Sequence, residues 1–201
     1  MTEYIYEVTD VPVSEGVTPW QTVGPFFHYA LPYDSGPLVA GSSREGAFTL
    51  HGYVYDGNGD PIPDSLVEIW QADEAGDFVS SPGIFEAPAA DGFRGFGRSA
   101  TDTDGHYSFR TVKPAAVPTA DGAAQAPHIA VSMFARGMLR LVVTRVYFDD
   151  ETDANEKDPL LSSLEAAQAG TLVARTDEDG YRFDLRLQGA DQTVFLDVAA
   201  H

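Results

Sequence analysis

Apolar and polar residues alternate with a period of two in short runs along most of the chain. In residues 48–55 (FTLHGYVY), Phe48, Leu50, Gly52 and Val54 fall on one face. Residues 65–71 (SLVEIWQ) are apolar and rich in β-formers. Past the turn signal TDTDG at 101–105, Tyr107, Phe109 and Thr111 alternate with Ser108 and Arg110. Residues 128–136 (HIAVSMFAR) and 139–148 (LRLVVTRVYF) read as two further strands, and 181–187 and 193–198 as a closing pair around QGADQ. Residues 56–64 (DGNGDPIPD) form a dense turn signal. Many short strands between such turns predict an all-β fold, an antiparallel β-sandwich core.

Two regions break the alternation. Residues 1–47 are rich in Pro, Gly and aromatics and predict an irregular but ordered N-terminal arm, leaving 48–201 as the sandwich domain. Residues 149–170 carry Leu160, Leu161 and Leu164 at helical spacing after Pro159, which predicts a short helical insertion.

The 201 residues suit one domain, and 43% hydrophobic with 21% charged residues is ordinary for a folded chain. Charge balance is not ordinary: 12 basic residues against 31 acidic ones give −19. Such a chain repels phosphate backbones and anionic lipid. The absence of cysteine excludes disulfides, thiolate metal sites and cysteine nucleophiles. No apolar run approaches the roughly 18 residues of a membrane span. The first ten residues lack the basic and apolar regions of a secretory signal, so a cytoplasmic location is expected.

Generic catalytic motifs are missing. GFRGFG at 92–97 lacks the lysine of a phosphate loop and reads as a tight turn. The acidic loops at 56–60 and 102–105 lack full calcium-loop spacing and read as solvated turns. Of five histidines, His128 stands in the most suggestive setting. Alternation puts His128, Ala130, Ser132, Phe134 and Arg136 on one strand face. Two imidazoles at i and i+2 could grip a metal; this strand offers one imidazole and a methyl.

Residues 54–78 (VYDGNGDPIPDSLVEIWQADEAGDF), 97–114 (GRSATDTDGHYSFRTVKP) and 126–137 (APHIAVSMFARG), with LVVTRVYFDD, resemble hallmark segments of the intradiol ring-cleavage dioxygenases. TPWQTVGPFFH at 18–28 and the tail YRFDLRLQGADQTVFLDV resemble the alpha-type chain of members built from two kinds of chain. The resemblance implies a β-sandwich and a non-haem Fe(III) site held by two tyrosines and two histidines. That ion binds a catecholate and makes its ring reactive toward O2, with cleavage between the hydroxyl-bearing carbons. At the four ligand positions this chain carries Phe78, Val117, His128 and Ala130, so only one donor remains.

The resemblance therefore implies a chain that holds no iron and has no catalytic residue of its own. The iron would be bound by a homologous beta subunit, within a higher oligomer of alpha–beta protomers acting on protocatechuate. The residues implied to line the substrate pocket at that interface are Thr22, Gly24 and Pro25 in the arm and Arg136 on the strand. Competing readings are a plain tight turn before Pro25 and a structural salt bridge at Arg136. The arm's Trp20, Phe26, Phe27, Tyr29 and Tyr33 are dense enough in aromatics to be interface. Two other classes stay open: a β-sandwich ligand-binding module, and a purely structural subunit with no part in chemistry.

Overall fold

The structure, a computed structural model, describes residues 22, 24, 27–79, 85–119 and 122–197. Its long strands are β1 (Ala47–Tyr55), β2 (Ser65–Trp70), β3 (Phe96–Ala100), β4 (His106–Val112), β7 (Ile129–Ala135) and β8 (Val142–Phe148). Short ones are β5 (Val117–Pro118), β6 (Ala124–Gln125), β9 (Val173–Thr176), β10 (Gly180–Arg182) and β11 (Leu185–Arg186). One layer runs β8-β7-β2-β3, all antiparallel. In the other, β1 pairs antiparallel with β4 on one edge and parallel with β10 and then β11 on the other. β9 joins the layers, antiparallel to β10 and parallel to β8. The fold is thus the expected β-sandwich with helical insertions.

The core lies between the layers and follows the period-two pattern. Leu50, Val54, Tyr107 and Phe109 from one layer meet Val67, Ile69, Val131, Met133 and Phe148 from the other. Val39, from the segment read as arm, is fully buried in the same cluster. Gly52 is required by close approach: a Cβ there would run into the Phe183 carbonyl, where the chain after β10 crosses β1. That carbonyl also accepts the hydroxyl of buried Tyr107 at 2.6 Å.

The turns explain the acidic loops. Asp56 Oδ1 accepts the amides of Asn58 and Asp60, and Asp102 Oδ1 those of Asp104 and His106. Asp73 repeats the device with Ala75 and Asp77. Each Asp is followed three residues on by a glycine at positive φ: Gly59 (87°), Gly105 (76°) and Gly76 (88°). These carboxylates serve their own backbone.

Three expectations need correction. The insertion is not one helix but α2 (Thr152–Asn155), a 3₁₀ turn (Leu161–Ser163) and α3 (Ala166–Gly170), because Leu164 turns extended at φ −102°, ψ 153°. Its leucines still serve as expected, packing with Ala126, Tyr147 and Leu172 in a second small core. Residues 193–197 are not a strand: Thr193 and Leu196 make single backbone bonds to Arg186 and Val143, with no ladder. Finally, the turn segment 92–97 ends inside strand β3, whose Gly97 admits Val39 and Phe109 against the backbone. A further one-turn helix, α1 (Phe27–Ala30), opens the described part of the arm. Among the described residues no helix is long and apolar enough to cross a membrane.

Candidate functional site

Phe78, Val117, His128 and Ala130, from three separate stretches of the chain, line one cleft of about 280 Å³ together with Trp70 and Pro114. Each is placed by local structure. Phe78 follows the Asp73–Asp77 turn, which is tied to the next wall by the Ala115 amide donating to the Asp73 carbonyl at 2.9 Å. Val117 sits in β5, paired with Gln125 of β6. Ala130 lies opposite Trp70 across the β2–β7 pair, on the face of β7 turned away from the main core. Gln71 at the cleft floor is fully used: its Nε2 donates to the Ala72 and Val112 carbonyls, and its Oε1 accepts from Thr111.

His128 is the one imidazole in the cleft. Its Nδ1 lies 2.8 Å from the Ala126 carbonyl. A carbonyl only accepts, so Nδ1 carries the proton and Nε2 is left with a lone pair. Burial lowers the imidazole's pKa, keeping it neutral at neutral pH; the bond to Ala126 opposes this and Arg145 adds to it. Ala126 is itself held, its amide donating to Asp158 Oδ2 at 2.9 Å. Asp158 is fully buried and also accepts from the Tyr147 hydroxyl and the amides of Leu160 and Leu161.

Tyr147 is a neighbour that sequence reasoning missed. Its ring centroid stands 5.6 Å from that of His128. The phenol is not available as a ligand: burial pushes its pKa up to about 12, and its proton is donated to Asp158 at 3.0 Å. Only the convergence of the β7–β8 pair with the insertion brings it here, and no local pattern signals that.

Ferric iron does not fit this cleft. Phe78, Val117 and Ala130 present no donor atom, and His128 has one free nitrogen. Among the described residues no group of three or more His, Asp or Glu side chains could hold a metal ion.

Of the residues expected to line the substrate pocket, Thr22, Gly24 and Arg136 are among those described. Thr22 is exposed, and its Oγ1 accepts the Gly24 amide at 3.2 Å, with Gly24 at φ +79°. Pro25, Trp20 and Phe26 lie outside the described residues. Arg136 is not on the strand face with His128. It stands in the turn after β7, and eight residues at ~3.3 Å each put it about 26 Å from His128. There its Nε donates to Asp64 at 2.7 Å while its side chain stays 65% exposed. Of the arm aromatics, Phe27 is buried, Tyr29 is exposed and Tyr33 packs edge-on to Phe85 at 5.2 Å.

Comparison with known proteins gives the setting for this geometry. Residues 23–189 match the family model described as Dioxygenase. The chain is 42% identical over 198 residues to the protocatechuate 3,4-dioxygenase alpha chain of Burkholderia cepacia, covering 90% of this chain and 97% of that one. It is 41% identical to the alpha chain from Pseudomonas putida, covering 90% and 96%. Identity to the beta chain of the Burkholderia cepacia protein is 35%, over 71% of this chain and 64% of that one. Among solved structures, catechol 1,2-dioxygenase from Acinetobacter sp. ADP1 superimposes with a TM-score of 0.54 at 24% identity, over 78% of this chain and 59% of that one; at that identity the likeness shows the fold.

Proposed function

The chain belongs to the intradiol ring-cleavage dioxygenases, and from that premise we propose that it is the iron-free alpha-type subunit of a heteromeric protocatechuate 3,4-dioxygenase. The complex cleaves protocatechuate between its two hydroxyl-bearing carbons, placing both atoms of O2 in the product, 3-carboxy-cis,cis-muconate. The Fe(III) is held by a homologous beta subunit. One observation carries the reading: the four positions to which the resemblance assigns the ligands line one cleft, and three of them hold side chains without a donor atom. The extended similarity to two alpha chains supports the same assignment. This chain then contributes interface and pocket wall, with Thr22, Gly24, Pro25 and Arg136 as the wall residues.

The test is purification of the chain alone and after co-expression with a relative that carries two tyrosines and two histidines at those positions. The chain alone is expected colourless and without stoichiometric iron; the complex is expected coloured, with iron following the partner's mass. A partner-free chain holding one tight iron with a tyrosinate absorption band overturns the reading.

Arg136 separates wall from scaffold. If it receives the substrate carboxylate across the interface, Arg136→Gln raises KM for protocatechuate about ten-fold, the loss of one charge-assisted contact of ~1.4 kcal/mol. Catechol, which lacks the carboxylate, is affected much less. Equal loss on both substrates in an intact complex removes Arg136 from the pocket and leaves its pair with Asp64 as its role.

A further inference from the structure

A second cleft, of about 410 Å³, opens between α3, β9, β10 and β11, and its charge is opposite to that of the chain. Arg175, Arg182 and Arg186 line it, against Asp184 and Asp191, in a protein of net charge −19. Arg175 and Arg182 are direct partners across the antiparallel β9–β10 pair. Like charges opposed in this way destabilise a sheet. Arg182 and Arg186 pair with His51 and Tyr55 of β1, four residues apart, and so project on the same face.

The three cations differ in how they are satisfied. Arg182 is locked onto Asp184 by two bonds of 2.9 and 3.1 Å and lies over the Tyr53 ring at 5.1 Å. Arg186 lies over Tyr55 at 4.6 Å, and that ring stacks on Tyr53. Neither Arg186 nor Arg175 has a carboxylate within ion-pairing distance among the described residues. Elsewhere Arg44, Arg98 and Arg136 each have one, from Glu74, Glu68 and Asp64. With acids so abundant, two arginines without one, beside a third, leave anion capacity unused. The hydroxyls of Thr171 and Thr193 on the cleft wall are committed to backbone groups and do not compete.

We propose that this cleft is a binding site for a small organic dicarboxylate, with Arg175 and Arg186 each taking one carboxylate. The guanidinium fork suits a carboxylate, which it engages through two parallel hydrogen bonds. Four residues of strand hold Arg182 and Arg186 about 13 Å apart at the backbone, and Arg175 stands beside Arg182. Two extended arginine side chains close that span around a ligand of several carbons. The volume falls in the range of small-molecule sites. The stacked tyrosines beneath hold the guanidinium of Arg186 in place before a ligand arrives. The inference does not rest on the alpha-type reading, since none of these residues lies in the His128 cleft.

Isothermal titration calorimetry on the full chain, with any subunit that purifies with it, tests the proposal at constant ionic strength. Succinate, adipate, acetate and inorganic phosphate serve as separate probes. Saturable one-to-one binding of succinate or adipate is expected, at least about ten-fold tighter than acetate. Arg175→Gln and Arg186→Gln are each expected to weaken it about ten-fold without lowering the unliganded melting temperature. Should Arg186→Gln lower that temperature, Arg186→Lys retains the charge and removes the fork, and is expected to weaken dicarboxylate binding alone. Absence of saturable dicarboxylate binding overturns the proposal. So does phosphate binding tighter than either dicarboxylate, or binding that both glutamine variants leave unchanged.

Discussion

The two clefts are built in opposite ways. The His128 cleft gathers side chains from three separate stretches, at 78, 117 and 128–130, and its walls are mostly apolar. Its single imidazole is neutral, and its polar neighbours Gln71 and Asp158 are saturated by hydrogen bonds. The arginine cleft takes its cations from one continuous stretch, 175–186, folded beside β1, and two of them lack acidic partners among the described residues. The first encloses one imidazole in apolar walls and offers no set of donors. The second holds charged chemistry that costs the sheet stability. A site's shape is thus maintained here by packing and buried hydrogen bonds, independently of the donors that would make it react.

Asp158 tests that statement with the largest expected effect. Its carboxylate satisfies the Ala126, Leu160 and Leu161 amides and the Tyr147 hydroxyl, three of them buried and the Leu160 amide partly so. Asp158→Ala leaves four donors without an acceptor, and the loss is expected to be about 3–5 kcal/mol. Chemical denaturation measures it. A loss below ~1 kcal/mol would mean that the carboxylate does not organise the His128 cleft, and that the convergence of the four positions has another cause.

The same network shows what the sequence made legible. Strands β1, β4 and β7 were readable because buried residues fall mainly on one face, so alternation records the packing directly, while β2 and β8, buried on both faces over part of their length, were readable from their apolar, β-rich composition. β3 was not, because its Gly97 is small for tertiary reasons: Val39 and Phe109 occupy the space a side chain would take. The insertion misled because three leucines at helical spacing pack just as well from a 3₁₀ turn, once Asp158 accepts the Leu160 and Leu161 amides. Phe78, Val117, His128 and Ala130 were singled out by motif order alone, and they line one cleft. Tyr147 and the three arginines stayed hidden because their meetings are made by strand register, β7 to β8 and β10–β11 to β1, which no local pattern encodes.

His128 gives a second way to sharpen the contrast, through pH. Its pKa in the folded chain lies below the ordinary value of 6.5, first because it is buried. Above 6.5 both folded and unfolded chains carry it neutral and stability is complete. As pH falls below that value the unfolded chain takes up the proton first, so stability declines until the folded imidazole also protonates. The decline is expected in melting temperatures measured from pH 7.5 down to 5, and His128→Gln should remove it. Asp150 acts in a separate, more acid window. Its burial is outweighed by hydrogen bonds from Lys113 and Tyr181, which hold its carboxyl below 3.8. If the slope between pH 5 and 6.5 survives His128→Gln, the imidazole is not the neutral group that its burial implies.

The smallest expected effect bears on the arginine cleft and has the opposite sign from the usual consequence of mutation. Without a ligand, Arg175 faces Arg182 across β9–β10 with no carboxylate of its own among the described residues. Like charges opposed across strands cost roughly 0.2–1 kcal/mol. Arg175→Gln should therefore stabilise the unliganded chain by a few tenths of a kcal/mol. Arg182 keeps its two bonds to Asp184 in the variant, so its own pairing contributes nothing to the difference. The gain should shrink as salt rises, since the side chains are exposed and a Debye length of about 10 Å at 0.1 M screens them. Denaturation at low and high ionic strength reads both features. A general relief of the chain's charge would run the other way, because removing a cation from a protein of net charge −19 increases self-repulsion. Stabilisation on losing a positive charge can therefore come only from the local pair, and destabilisation that weakens with salt would show that Arg175 serves the acidic chain as a whole and is not held in reserve for an anion.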